Sequence, residues 1–207
     1  MVSGPKESRH VSLTFDDGPH PEHTPVLLDR LKALDIRATF FLLGRNAERY
    51  PEIVRRVADE GHDVGHHSYT HGDPTTTSAA DLVSEVWQSQ RLLEPVVGHP
   101  PRLFRPPHGK VTLSKTLRLW AAGQTIVLWN QDPKDFACGS AEALRSWFAA
   151  QTLAGGDVIL LHDVHPFAGA ALDGIAERVR GAGLDFCRVS DWLGGARHER
   201  ERARTSS

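Results

Sequence analysis

The sequence predicts an α/β fold, a single distorted (β/α)7 barrel in which parallel strands alternate with helices. Apolar runs of strand length alternate about seven times with helical patterns, and no linker divides them. Such alternation is typical of parallel strands joined by crossover helices. Because seven units are one fewer than in the closed eight-stranded barrel, the barrel is expected to be incomplete or distorted. The length of 207 residues fits one domain with a substantial core.

The elements follow one another in a regular order along the chain. The predicted strands are residues 10–15, 38–43, 63–67, 102–105, 125–130, 157–161 and 185–189. Small polar residues suited to helix capping open most of the helical segments between them. These segments are 46–61 with Asn46 as its cap, a helix from Ser78 that carries Leu82, Val83, Val86, Leu92 and Leu93, 112–123 with Thr112, 140–153 with Ser140, and 168–183.

Two adjacent carboxylates, Asp16 and Asp17, follow the first predicted strand. Neighbouring anions repel unless a cation or a fixed donor offsets their charge. Gly18 and Pro19 favour a turn, so the pair is expected at the end of the strand rather than inside the sheet. Taken alone, this sequence fits a solvated turn equally well. A metal ion together with a positive side chain would reconcile the two charges.

His67 and His71 are candidate metal ligands. They are four residues apart, so in a helical turn both imidazoles project from one face. Two imidazoles and a carboxylate suit zinc or a similar first-row divalent ion and leave positions open for water and substrate. The chain has twelve histidines, so such a pair carries little weight alone. His62 and His66 are expected to be strand or loop histidines with backbone partners.

Further reactive residues follow the later apolar runs, each at the carboxyl end of its strand. Because the loops after the strands meet at one mouth of such a barrel, this placement predicts one shared site. The sequences are Arg105-Pro106-Pro107-His108-Gly109, Asp132-Pro133-Lys134-Asp135-Phe136 and His162-Asp163.

Together these sequences resemble, in order, the five motifs of the polysaccharide deacetylases, the carbohydrate esterases that include chitin, nodulation-factor and peptidoglycan deacetylases. The resemblance covers about residues 10–193 and independently implies a distorted (β/α) barrel. Three positions depart from the family pattern: His108 replaces an aromatic residue, commonly tyrosine, Phe136 replaces a common tryptophan, and His66 replaces a frequent asparagine. These three departures affect the expected substrate pocket more than the expected catalytic chemistry. The matching segments are residues 14–19, 67–71, 105–109, 132–136 and 160–163.

The residues around the carboxylate pair have expected roles in a hydrolysis. Asp17, His67 and His71 would bind one divalent ion, Zn²⁺ on ligand type, with Co²⁺ or Ni²⁺ as alternatives. Asp16 would take a proton from the attacking water as general base. Arg105 would be its counter-charge, and the alternative for Arg105 is a salt bridge at the rim without a catalytic role.

His162 is expected to protonate the departing amine, which requires an anionic neighbour that raises its pKa. The resemblance points to Asp135 as this neighbour, with Asp132 as the second choice. Asp163 is expected to cap the segment that follows. The alternative for His162 is a buried structural histidine.

The remaining site residues are expected to contact substrate. Pro106 and Pro107 have no backbone N–H, so the first amide after Arg105 that can donate to an oxyanion belongs to His108. The His108 side chain could instead line the sugar pocket or ligate the metal. A slot for the acetyl methyl group would be walled by Leu160, Phe136 and Trp129, and the alternative for these three is ordinary barrel packing.

Composition limits the partners of the chain. A net charge of −2 gives no reason to expect nucleic acid, and no apolar stretch approaches the roughly 20 residues of a membrane span. The first residues lack the apolar core of a signal peptide. The chain is therefore expected to be a cytoplasmic monomer as given, or exported if a signal peptide has been removed. Cys138 and Cys187 permit one disulfide but do not require it.

The sequence is compatible with three functions. The leading hypothesis is a metal-dependent hydrolase that removes acetyl groups from N-acetylated sugar residues of a poly- or oligosaccharide. The second keeps the metal chemistry but acts on an O-acetyl ester or a small amide, and the third is a non-catalytic glycan-binding domain. In each case residues 1–195 would form the domain, and the charged residues 196–207 would be a disordered tail.

Overall fold

The computed structural model of the chain describes residues 1–193. The tail predicted at 196–207 lies outside the described residues. Seven parallel strands form a single curled sheet, a half-barrel flanked by helices, which confirms the predicted fold class. The strands are β1 (His10–Asp16), β2 (Thr39–Leu42), β3 (Asp63–His66), β4 (Leu103–Phe104), β5 (Thr125–Ile126), β6 (Val158–His162) and β7 (Asp185–Phe186).

The strand order is β5-β4-β3-β2-β1-β6, and β7 pairs with the start of β1. The chain after β5 approaches β6 through a single bridge between Gln131 and Ile159. Asp157 strengthens this junction, because its carboxylate accepts a hydrogen bond from the Asn130 amide at 2.7 Å. Asn130 in turn accepts from the Val158 N–H at 2.8 Å. These side-chain hydrogen bonds add to the three backbone hydrogen bonds that join Asn130 and Gln131 to β6.

The helices occupy the connections between strands. They are α1 (His23–Ala33), α2 (Gly44–Arg49), α3 (Pro51–Asp59), α4 (Ala79–Val97), α5 (Leu113–Ala121), α6 (Asp135–Cys138), α7 (Ala141–Ala150) and α8 (Phe167–Gly181), with a short 3₁₀ turn at Pro107–Gly109. As predicted, the side chains of Ser78, Thr112 and Ser140 cap α4, α5 and α7 by accepting backbone N–H bonds. Neither α1 nor α6 was predicted from the sequence.

The prediction that Asn46 caps one helix ending at Gly61 is wrong. Asn46 lies inside α2, and a second helix, α3, begins at Pro51. Proline lacks the N–H that a helix interior needs but is well suited to the first turn, so it divides the segment into two helices. The Asn46 side chain is thereby free to reach the loop after β1.

Side chains on β1 alternate between two environments. Val11, Leu13 and Phe15 are fully buried against the surrounding helices, in the main hydrophobic core. Phe15 stacks on Phe40 of β2 with ring centroids 5.1 Å apart. The intervening residues face the barrel interior. Of these, Thr14 lies below the mouth and Asp16 lies at it, at the carboxyl end of the strand. The packing that builds the fold therefore also fixes the direction of the reactive carboxylate.

Both cysteines are free thiols, so the disulfide that the sequence permits does not form in this structure. Cys187 is buried, and burial raises the pKa of its thiol to about 12. Within residues 1–193, no helix combines the length and the apolar character needed to cross a bilayer.

Candidate active site

The two neighbouring carboxylates diverge at the end of β1. Asp16 is the last residue of the strand, whereas Asp17 adopts a left-handed backbone with φ of 74°. Two residues at the N-terminal end of α2 hold the backbone that follows β1. The Asn46 side-chain amide donates to the Asp17 carbonyl at 2.8 Å, and the Leu43 N–H donates to the Gly18 carbonyl at 2.9 Å. Both carboxylates approach His67, but Asp16 pairs with Arg105 whereas Asp17 also faces His71.

Asp163 packs directly beneath this turn. A side chain at Gly18 would collide with the Asp163 carboxylate, so only glycine fits there. The carboxylate accepts a hydrogen bond from the Thr24 hydroxyl of α1 at 2.6 Å rather than capping the segment that follows it. Burial raises the pKa of Asp163 to about 7. Asp163 therefore braces the carboxylate turn against α1.

Asp17, His67 and His71 come together at the mouth. One ligand atom from each lies within 4.8 Å of the others. The Asp17 Oδ1 atom is 3.7 Å from His67 Nε2 and 3.6 Å from His71 Nε2. This oxygen is buried and has no hydrogen-bond partner among the described residues. A buried carboxylate oxygen facing two imidazole nitrogens fits a divalent cation.

The orientation of His67 also fits metal binding. Its Nδ1–H donates to the Arg105 carbonyl at 2.7 Å, so Nε2 faces the group without a proton. Burial lowers the pKa of His67 to about 3, which keeps the ring neutral. The connecting residues form a loop rather than the helical turn considered from the spacing, because Ser68 and His71 have φ of 65° and 62°.

His62 and His66 lie apart from this group. The Ala38 N–H donates to His62 Nδ1 at 3.0 Å, as expected for a strand histidine with a backbone partner. His66 instead pairs with the Gln124 side chain, at 2.9 Å, so its predicted backbone partner is wrong. Burial lowers the pKa of both histidines to about 4.

Arg105 and Asp16 form a buried ion pair beside the candidate ligands. The Arg105 side chain is fully buried, and its Nη1 lies 2.8 Å from Asp16 Oδ1. It also donates to the Thr14 hydroxyl and to two backbone carbonyls, and it lies over the Phe41 ring at 4.2 Å. The other Asp16 oxygen is 3.7 Å from His67 Nε2. A rim salt bridge is therefore excluded for Arg105.

The charge state of this pair follows from its burial and contacts. Burial raises the pKa of Asp16, and the guanidinium of Arg105 opposes that shift. Arginine keeps its proton in proteins, so it supplies a fixed positive charge at this position. Asp16 therefore has the basicity of a desolvated carboxylate together with a cation that favours its ionised form.

His162 and Asp135 form a second pair at the end of β6, the strand next to β1, where His162 is the register partner of Asp16. Asp135 Oδ1 lies 2.7 Å from His162 Nδ1, and Asp135 Oδ2 accepts the His162 backbone N–H at 2.7 Å. Burial lowers the pKa of His162, but the hydrogen bond and charge of Asp135, with smaller contributions from Asp16 and Asp17, raise it to about 9. His162 thus carries a proton at neutral pH, with Nε2 directed away from Asp135.

Asp132, the second choice of partner, lies elsewhere in the same loop. Its carboxylate accepts the Lys134 N–H at 2.9 Å and stabilises the turn before α6. The Lys134 residue has a left-handed backbone with φ of 52°, which places Asp135 rather than Asp132 against β6.

The predicted substrate residues line different parts of the mouth. Phe136 is 55% exposed and meets the His162 ring edge-on at 5.5 Å. Leu160 is buried on the same side of β6 as His162, two residues before it. Trp129 packs over Arg105 at 5.4 Å and against Gly109, so the structure places it beside the buried arginine. His108 is exposed, and its ring lies 4.7 Å from that of His71.

The contacts that two residues make with the site were not predicted from the sequence. Thr14 accepts from Arg105 at 2.7 Å and donates to the Ile159 carbonyl at 2.7 Å, which links the ion pair to β6. Its inward position two residues before Asp16 was the available signal. Asn46 carried no comparable signal, because its contact lies 29 residues away in the sequence.

Residues 3–127 match the family model described as polysaccharide deacetylase. The chain therefore belongs to the polysaccharide deacetylase family, as its motifs predicted. This family is metal-dependent, and the group formed by Asp17, His67 and His71 is a possible metal site of this chain.

Two relatives and one solved structure are similar to this chain over most of its length. Over 162 residues the chain is 40% identical to a peptidoglycan-N-acetylglucosamine deacetylase of Bacillus cereus, in an alignment covering 77% of this chain and 58% of that relative. It is 37% identical over 166 residues to a chitooligosaccharide deacetylase of Bradyrhizobium, covering 80% of this chain and 74% of that protein. A crystal structure of a peptidoglycan N-acetylglucosamine deacetylase superposes with a TM-score of 0.88 at 33% identity, covering 92% of this chain and 91% of that one.

Proposed function

We propose that this chain is a metal-dependent hydrolase that removes acetyl groups from N-acetylated sugar residues of a poly- or oligosaccharide. The supporting observation is that one barrel mouth combines a possible metal site, a buried base with its counter-charge, and a protonated histidine with its carboxylate partner. A binding domain needs no such pairing of base and acid. The relatives named above act on peptidoglycan and chitooligosaccharides, so glycans of both kinds are the substrates to test first.

A divalent ion, with zinc as the proposed identity, would be held by Asp17, His67 and His71 and would supply Lewis acidity toward the acetyl carbonyl and the attacking water. Asp16 would remove a proton from that water through Oδ2, the oxygen that Arg105 leaves free. Arg105 would keep the carboxylate ionised and in position. The new bond joins the water oxygen to the acetyl carbon.

The negative charge that develops on the carbonyl oxygen needs a fixed donor. The Gly109 and Lys110 amides are already used by the Pro106 and Pro107 carbonyls, at 2.9 and 3.2 Å. The His108 amide is therefore the donor proposed for the oxyanion, independent of the identity of its side chain.

The reaction is completed when the carbon–nitrogen bond breaks. His162 would give its Nε2 proton to the nitrogen, so that acetate and a free amine leave. Asp135 would hold the ring in place and stabilise its charged form. Phe136 and Leu160 would wall the acetyl slot. We assign this activity to the domain at residues 1–195, and the monomeric state stays a prediction.

Acetate release tests this function directly. The purified chain would be offered peptidoglycan fragments, N-acetylated chitooligosaccharides and acetylated xylan, each before and after chelation and after Zn²⁺ is restored. We expect acetate from an N-acetylated substrate, loss of release on chelation and recovery with the ion. Activity that chelation leaves unchanged would contradict the mechanism.

The same assay separates the two rival functions. Release from acetylated xylan alone would support the O-acetyl esterase. Glycan binding without acetate release from any substrate, unchanged by Asp16→Ala, would support a non-catalytic glycan-binding domain.

The pairing of His162 with Asp135 predicts a specific pH dependence. With a pKa of about 9, His162 loses its proton as pH rises through that value, so activity should fall on the alkaline side. Asp135→Asn removes the charge and the hydrogen bond that hold this proton. We expect the alkaline limb of kcat/KM to move to lower pH by about 1–3 units and the maximal rate to fall.

Asp132→Asn is the matched control, because it removes a carboxylate from the same loop without touching His162. Its alkaline limb should coincide with that of the unmodified chain. An Asp135→Asn profile that superposes on the control would remove His162 from the role of proton donor.

A further inference from the structure

The loop that carries the second imidazole ligand has an unusual backbone. Ser68 and His71 are both left-handed, a conformation that side chains other than glycine rarely adopt. Such a loop persists only when surrounding contacts determine it, and it is the segment that sets where the His71 ring lies relative to Asp17 and His67. What fixes the loop therefore fixes the geometry of the possible metal site.

The loop carbonyls are held by backbone and hydroxyl donors from neighbouring elements. The Ser68 carbonyl accepts the Gly44 N–H at 3.0 Å and the Ser89 hydroxyl at 3.0 Å. The Tyr69 carbonyl accepts the Arg45 N–H at 3.2 Å. These contacts come from the start of α2 and from α4.

Two of the loop amides, in contrast, donate to one side chain. Glu85 of α4 accepts the Tyr69 N–H and the Thr70 N–H with one oxygen, both at 3.0 Å. Its other oxygen accepts the Thr70 hydroxyl at 2.7 Å. The His71 N–H is satisfied within the loop by the Ser68 hydroxyl at 3.0 Å.

Glu85 is well suited to this contact because it is ionised. Burial alone would raise the pKa of Glu85, but the hydrogen bonds from Thr70, Tyr69 and Ser68 outweigh burial and lower it. Charged acceptors form stronger hydrogen bonds to backbone amides than neutral ones do.

We propose that Glu85 is a positioning residue for the metal site, which holds the left-handed loop from Ser68 to His71 in the conformation that brings His71 to Asp17 and His67. This inference deepens the proposed function and rests on its metal assignment. Glu85 hydrogen-bonds to Tyr69 and Thr70 and to none of the three candidate ligands, so it acts through the loop backbone.

Three substitutions separate the effect of side-chain length from the effect of charge at Glu85. Glu85→Gln keeps the reach and an acceptor oxygen, Glu85→Asp keeps the charge but is one carbon too short, and Glu85→Ala removes both. The readouts are the Zn²⁺ dissociation constant, measured by competition with a chromogenic chelator, and hydrogen exchange at the Tyr69 and Thr70 amides in metal-free protein.

We expect Glu85→Ala and Glu85→Asp to weaken Zn²⁺ binding about tenfold or more and to speed exchange at both amides. Glu85→Gln should retain more of both properties than Glu85→Asp does. If Glu85→Ala does not fold, the comparison of Gln with Asp still decides the question.

Glu48→Ala is the matched control. Glu48 is an exposed carboxylate that touches the same loop, but only through the Tyr69 hydroxyl, at 2.6 Å. It should leave Zn²⁺ affinity and amide exchange unchanged.

Two results would overturn the inference: Zn²⁺ affinity unchanged in both Glu85→Ala and Glu85→Asp, or equal weakening by Glu48→Ala. A lower melting temperature with unchanged affinity would likewise show a structural role only. Failure of the unmodified chain to bind Zn²⁺ would instead contradict the metal assignment, and amide exchange would then still report whether Glu85 holds the loop.

Discussion

Asp16→Asn should lower turnover by about 10²- to 10⁴-fold while the chain keeps its metal ion. Asparagine has nearly the same shape and can still accept the hydrogen bond from Arg105, but it cannot take a proton from water. The candidate ligands Asp17, His67 and His71 are unchanged by this substitution. Turnover of an N-acetylated glycan and metal content per chain would be measured on the same preparation.

Circular dichroism on that preparation would establish that the variant is folded. Near-normal turnover would remove Asp16 from the role of base. A folded but metal-free Asp16→Asn protein would show instead that Asp16 is a ligand, and the division of roles between the two neighbouring carboxylates would then be wrong.

Arg105→Leu should have the largest effect on stability. Arg105 is fully buried, and its loss leaves the Asp16 carboxylate in a low-dielectric interior without its counter-charge. Breaking one side of such a pair costs about 3–5 kcal/mol of unfolding free energy. Removing the cation also raises the pKa of Asp16 further, which lowers the ionised fraction of the base, so turnover falls. Urea denaturation and acetate release would measure the two effects.

An exposed ion pair provides the control for Arg105. Arg30 pairs with Asp173 on the surface, where both side chains are about half exposed, and Arg30→Leu should cost less than about 1 kcal/mol. The double variant Asp16→Asn, Arg105→Leu should be more stable than Arg105→Leu alone, because no charge is left unpaired. Equal stability of the single and double variants would contradict this explanation.

The fold and the main site residues could be predicted because they depend on local patterns. Apolar runs separated by helical segments predict parallel strands, and parallel strands place the residues that follow them at one mouth. This geometry brings Asp16 and His162 together although they lie far apart in sequence, since β1 and β6 are neighbours in register. The same rule indicated Arg105 at the end of β4.

The supporting contacts could not be predicted in this way. Glu85 lies on a half-exposed face of α4, where a glutamate is usually explained by contact with water. Its hydrogen bonds go to backbone amides of a loop whose shape the sequence does not reveal. Asn46 was assigned to a cap, because Pro51 was not recognised as the start of a separate helix. Both residues act on the backbone conformation of another segment, which spacing and residue type alone do not encode.

The proposed mechanism depends on a divalent ion that Asp17, His67 and His71 hold together. Metal content after loading with Zn²⁺ and removal of the excess tests it most directly, with the unmodified chain compared with folded Asp17→Ala protein. We predict about one ion per chain for the unmodified protein and almost none for Asp17→Ala. Full occupancy in Asp17→Ala would contradict the assignment and the mechanism that depends on it.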